Sequence, residues 1–65
     1  METNLEKTVT TTEFANDYQS DDINIHAELL EQFKTDNPSQ TWKQASGELT
    51  DNGNDTLTYN ITITH

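Results

Sequence analysis

From Thr56 to Thr64 the chain alternates residue by residue between polar and apolar side chains: Leu57, Tyr59, Ile61 and Ile63 against Thr56, Thr58, Asn60, Thr62 and Thr64. A β-strand sends successive side chains to opposite faces, so this segment predicts a strand with one buried and one wet face. The rest of the chain offers little to cover that buried face. Leu, Ile, Val and Phe number 12 of 65 residues, and a share under about 20% with high net charge is typical of disordered chains. The apolar residues are clustered rather than scattered, however, which predicts one small folded domain over residues 1–65. That length is near the lower end of what folds alone. With no cysteine and no Cys/His cluster, neither a disulfide nor a zinc ion staples it. Apolar burial then barely offsets chain entropy, and the expected fold is marginal, or completed by a homodimer or another partner.

A helix over about 23–36 is the natural cover for that strand. His26, Leu29, Leu30 and Phe33 recur at the i, i+3, i+4, i+7 spacing of one buried stripe, with Asn24, Glu28, Glu31 and Thr35 opposite. Asp22 is the expected cap, the pair Asp21-Asp22 suits the positive end of the helix dipole, and Asn37-Pro38 stops the helix. Before it, the β-branched run of residues 7–14 suggests an edge strand, and Ala15 to Asp22 reads as a loop. After it, residues 40–49 read as a weak strand. Asn52-Gly53 then turns the chain, so that about 41–64 forms a C-terminal hairpin. The expected architecture is α+β, in the order β-α-β-β, with one amphipathic helix on a short antiparallel sheet. Its expected core is Leu29, Leu30, Phe33, Leu57, Tyr59, Ile61 and Ile63, with help from Trp42 and Leu49.

Charge bears most directly on function. Twelve acidic residues against three lysines (Lys7, Lys34, Lys43) and no arginine give a net charge of −9. Such a surface repels nucleic acid and anionic membrane and attracts basic partners. Direct nucleic-acid binding is not expected, because the residues that contact phosphate are lacking. The start of the chain has neither a basic n-region nor an apolar run, and no stretch approaches a membrane span, so a cytoplasmic location is expected.

Catalytic chemistry finds no foothold in the sequence. The histidines are His26, on the apolar stripe, and His65 at the end; the glycines are Gly47 and Gly53, too few for a phosphate loop. Glu28 and Glu31 on an exposed helix face lack the burial that raises a carboxyl pKa. Asp51-Asn52-Gly53-Asn54-Asp55 has calcium-loop residue types, but it is half the length of an EF-hand loop and no glutamate follows. A hairpin turn uses the same residues. The expectation is a binding protein with no enzymatic activity, no metal and no cofactor.

Two binding readings follow. In the first, Asp21, Asp22, Glu28, Glu31 and Asp36 along the helix, with Asp51 and Asp55 on the turn, present negative charge in partial imitation of B-DNA. Tyr18, a loop tyrosine among acids, adds a contact. The partner would be a basic, nucleic-acid-binding protein whose groove the chain occupies. In size, charge and lack of catalytic residues the chain resembles phage-encoded blockers of restriction, CRISPR or transcription machinery, a resemblance of composition rather than of motif. In the second reading the chain is a structural or adaptor module. It would work by homo-oligomerisation, pairing its first strand and the threonine face of its last, or through an apolar patch of Phe14, Tyr18 and Trp42.

Overall fold

The computed structural model describes all residues from Met1 to His65. Five elements follow one another: β1 (Glu2–Thr10), α1 (Thr11–Asp17), α2 (Asp22–Asp36), β2 (Gln44–Asp51) and β3 (Thr56–Thr64). The three strands form one sheet in the order β1-β3-β2, with both pairings antiparallel. The fold is therefore α+β, as expected, with an additional short helix. The most cleanly alternating strand takes the centre. Its odd residues Leu57, Tyr59, Ile61 and Ile63 are all buried, and they meet Val9 of β1 and Ile25, Leu29 and Phe33 of α2 in a single core.

The N-terminal third differs from the expectation. The first strand covers 2–10, not 7–14, and the chain turns helical at Thr11. The reason is local. Thr10 caps α1 by accepting the Glu13 N–H (3.0 Å), while the Glu13 carboxylate accepts the Thr10 N–H (3.1 Å). This reciprocal capping box outweighs the β-propensity of the threonine run. Phe14 and Tyr18 consequently reach the core from α1 and from its end, packing at its margin. The segment expected as a loop from Ala15 to Asp22 is loop only after Asp17. There Gln19 and Ser20 adopt positive φ (56° each) and the Ser20 N–H bonds the Phe14 carbonyl (2.9 Å).

In α2 the cap is Asp21, not Asp22: its carboxylate accepts the Ile23 N–H at 3.1 Å. The buried stripe is Ile25, Leu29 and Phe33, rotated from the expected one, and His26 and Leu30 lie half-buried on its flank. Asn37 ends the helix, its N–H returning to the Phe33 carbonyl. Trp42 does not join the core. It stays 37% exposed in the segment between α2 and β2, whereas Leu49 packs against the core edge. The hairpin forms around Asn52-Gly53 as expected, but its first strand runs Gln44–Asp51 rather than over 40–49, so the hairpin starts at 44 and not at 41. In the turn Asp51 accepts the Gly53 N–H (2.9 Å), and Gly53 and Asp55 take φ of 78° and 62°, a region glycine and aspartate tolerate.

α2 runs parallel to β3. Near its start His26 meets Tyr59, and at its end Phe33 packs on His65 (centroids 5.2 Å). The molecule is elongated, 36 × 18 × 15 Å.

Candidate functional site

The polar face of the sheet carries no helix. The threonine face of β3 lies at its middle and is tied sideways by side-chain bonds: Thr58 to Thr8 (2.9 Å), Thr62 to Asn4 (2.9 Å) and Asn52 to Thr58 (2.9 Å). Both backbone edges of β3 are taken by its neighbours. Backbone pairing with another chain is thus left to β1 and β2, and the threonine face of β3 is open only as a face, not as a strand edge.

The expected contact residues fall into three groups. Asp21, Asp22, Asp51 and Asp55 lie toward one end of the molecule. Asp51 and Asp55 flank the hairpin loop. The Asp55 carbonyl accepts the Thr11 N–H (2.9 Å), which brings the start of α1 to the same end. α2 begins there because it runs parallel to β3, and Asp22 helps raise the pKa of the buried Tyr59 phenol, after burial itself. Glu31 and Asp36 form the second group, exposed along α2.

Glu28 and Tyr18 form the third, and they are engaged within the fold. One Glu28 oxygen accepts from the Lys7 ammonium (2.9 Å) and from the Tyr18 hydroxyl (2.7 Å), joining β1, the α1–α2 connection and α2. Lys7 and then Tyr18 hold the Glu28 carboxyl below the usual range. The Tyr18 hydroxyl and Glu28 keep the Lys7 ammonium above its own. Lys7 pulls the Tyr18 phenol down, but Glu28 and burial outweigh it and the net direction is upward. Sequence reading missed this triad because its members belong to three separate segments.

A depressed Glu28 pKa stabilises the fold above the unfolded carboxyl value, and that contribution is lost as pH falls through the folded value. Lys7 and Glu28 are both more than a third exposed, so the pair contributes less than about 1 kcal/mol. Lys7→Met should lower stability by that amount at pH 7 and flatten the acid side of the profile, where the wild type loses the contribution. Urea unfolding from pH 7 to pH 3 measures it.

The remaining eleven carboxylates make no salt bridge, and no charged residue is buried. Glu2, Glu6 and Glu48 point from the open sheet face, Glu13 and Asp17 lie on α1, and the others are those placed above. The negative surface therefore wraps both faces, more widely than the helix-and-turn set expected. Lys34 and Lys43 lie toward the opposite end from the hairpin loop. A shallow cleft there is lined by Lys34, Asn37, Pro38, Gln40, Thr41 and Trp42.

His26 accounts for itself structurally. Its Nδ1 lies 2.7 Å from the Tyr59 hydroxyl, with the rings edge to face at 5.8 Å. The phenol, whose pKa burial raises, donates to Nδ1 when the imidazole carries its proton on Nε2. The arrangement requires Gly47, because a Cβ at that position would sit 1.8 Å from the Tyr59 hydroxyl oxygen. His65 bonds Gln40 through Nδ1 (2.7 Å) and Thr3 through Nε2 (2.8 Å). No group of three His, Asp or Glu side chains converges in metal-binding geometry, and no helix is long and apolar enough to cross a membrane.

The geometry defines a three-stranded antiparallel α+β domain with an acidic, almost unneutralised surface. The chain matches no family model, no curated protein and no solved structure.

Proposed function

We propose that the protein is a non-enzymatic inhibitor that occupies the basic groove of a nucleic-acid-binding protein in place of DNA. The observation that carries this reading is the set of eleven exposed carboxylates without a cation on a body 36 Å long. That length is close to one turn of B-DNA, roughly 34–36 Å. Twelve carboxylates over 36 Å average one per 3 Å, against one phosphate charge per about 1.7 Å of duplex axis. The protein thus offers roughly half the linear charge of DNA on a hydrogen-bonded frame.

Unneutralised charge of one sign destabilises so small a fold; a basic groove would relieve that repulsion on binding. The hairpin end, with Asp21, Asp22, Asp51 and Asp55, together with Glu31 and Asp36 along α2, supplies the first contacts. Glu28 and Tyr18 support the frame from within and contribute less. The phage-type inhibitors of restriction, CRISPR or transcription machinery that the composition resembles supply the first candidate targets to test.

Affinity capture on immobilised protein tests the proposal. A DNA- or RNA-handling protein should be retained at low salt and released by a moderate salt step, because contacts between exposed charges are screened. Retention of nothing, or of partners indifferent to salt, would count against it.

A further inference from the structure

Of seven asparagines in the chain, only Asn52 precedes a glycine. The pair that suits a hairpin turn is also chemically reactive. Asparagine is a thermolabile residue, and glycine has no side chain to shield its backbone nitrogen. Once the Gly53 N–H has lost its hydrogen, that nitrogen can attack Cγ of Asn52. A bond forms from the Gly53 nitrogen to Cγ, the bond from Cγ to Nδ2 breaks, and ammonia leaves with a proton from water. Water then opens the five-membered imide. Opening at Cγ leaves aspartate. Opening at the main-chain carbonyl leaves isoaspartate, with the backbone running through the former side chain. The net change is hydrolysis of one amide to a carboxylate and ammonium.

The native turn holds both reacting groups back from this course. Asn52 Nδ2 donates to the Thr56 hydroxyl (3.1 Å) and to the Thr58 hydroxyl (2.9 Å). Two acceptors on β3 thus match the two hydrogens of the amide that must leave. The Gly53 N–H is bonded to the Asp51 carboxylate (2.9 Å), where loss of its hydrogen would set a second negative charge beside the first. The Asn52 N–H is itself tied to the Thr56 carbonyl (3.0 Å), so the residue cannot turn without opening the end of the hairpin. Residues 51–55 are all exposed. Water reaches the turn, and these bonds rather than burial guard it.

We propose that Asn52 is a latent deamidation site, kept closed by the native turn and converted when the hairpin end opens. Such opening is local and costs less than unfolding the whole chain. The product does not restore the turn. Aspartate at position 52 has no side-chain hydrogens to give Thr56 and Thr58, and it adds a carboxylate between Asp51 and Asp55. Isoaspartate also lengthens the backbone between Asp51 and Gly53. Each product therefore weakens the turn that guarded its precursor, and the modified fraction records how often the hairpin has opened.

Peptide mapping by mass spectrometry tests this on chain held at mildly alkaline pH, with and without urea. In urea, Asn52 should convert ahead of every other asparagine. Without urea its conversion should be about a hundredfold slower, because the two amide bonds and the Gly53 bond must open and each is worth roughly a factor of five. Thr58→Val removes one acceptor and should raise the native rate about fivefold while leaving the rate in urea unchanged. Thr62→Val, which removes a side-chain bond on the same face away from the turn, should change neither rate. Equal conversion with and without urea would overturn the proposal. So would an equal response to the two valine variants, since the protection would then come from overall stability and not from the turn. Asn52→Asp, one of the two products, should unfold at lower urea concentration than the wild type; a product as stable as its precursor would contradict the claim that conversion weakens the turn.

Discussion

Gly47→Ala is expected to cost about 3 kcal/mol, at the upper end of what overpacking a core does. The added Cβ would meet the Tyr59 hydroxyl oxygen at 1.8 Å and ring carbons at 2.3 and 2.7 Å. A rigid ring held on one side by His26 cannot move those distances in place. Tyr59 is only 5% exposed at the centre of the central strand, so it must leave its site, surrendering both core contact and the bond to His26. A chain of this length has a total stability of only about 3–10 kcal/mol, at 0.05–0.15 kcal/mol per residue. The variant should therefore be partly or wholly unfolded at 37 °C, as circular dichroism and urea titration would show. Removing the ring should rescue it: Gly47→Ala with Tyr59→Leu should be more stable than Gly47→Ala alone, although Tyr59→Leu by itself is destabilising. Additive losses would mean that the close approach of Tyr59 to Gly47 is not what demands a glycine.

The second large effect concerns charge. Converting Asp21, Asp22, Asp51 and Asp55 to asparagine removes four negative charges from the hairpin end and leaves the frame nearly untouched. Asparagine caps a helix as well as aspartate, can accept the Gly53 N–H as Asp51 does, and tolerates the positive φ of Asp55. Two opposite outcomes are expected together. Thermal stability should rise, because self-repulsion falls. Association with the captured target should slow by about tenfold to a hundredfold, since steering by complementary charge can raise on-rates by several orders of magnitude. Charge that served solubility alone would raise stability and leave binding unchanged.

Much of the frame was legible because local pattern and tertiary role agree in it. The alternation of 56–64, the amphipathic run of 23–36 and the Asn52-Gly53 turn each specify one conformation, and each is realised. The start of the chain is ambiguous in sequence because two local signals compete there. Thr8 to Thr12 favours a strand, but Thr10 and Glu13 together make a capping box, and the spacing of that pair was visible in the sequence. The rotation of the α2 stripe from His26 to Ile25 turns on which of two overlapping apolar spacings meets the sheet, and only β1 and β3 beneath the helix decide it. Gly47 gave no signal, because its need is set by a side chain twelve residues away on the neighbouring strand. The carboxylates were recognisable as an exposed set. That Glu28 is already held by Lys7 and Tyr18 was not, since no periodicity links β1, the helix connection and α2.

The most direct test of the proposed function is competition on the captured partner. With the partner bound to immobilised protein at low salt, duplex DNA is added at rising concentration and the released partner is measured. Groove occupancy predicts complete release along a saturating curve, and the four-asparagine variant should release its partner at lower DNA concentration. A partner that stays bound at saturating DNA would show that the acidic surface and DNA use different sites, and the proposal of nucleic-acid imitation would be contradicted.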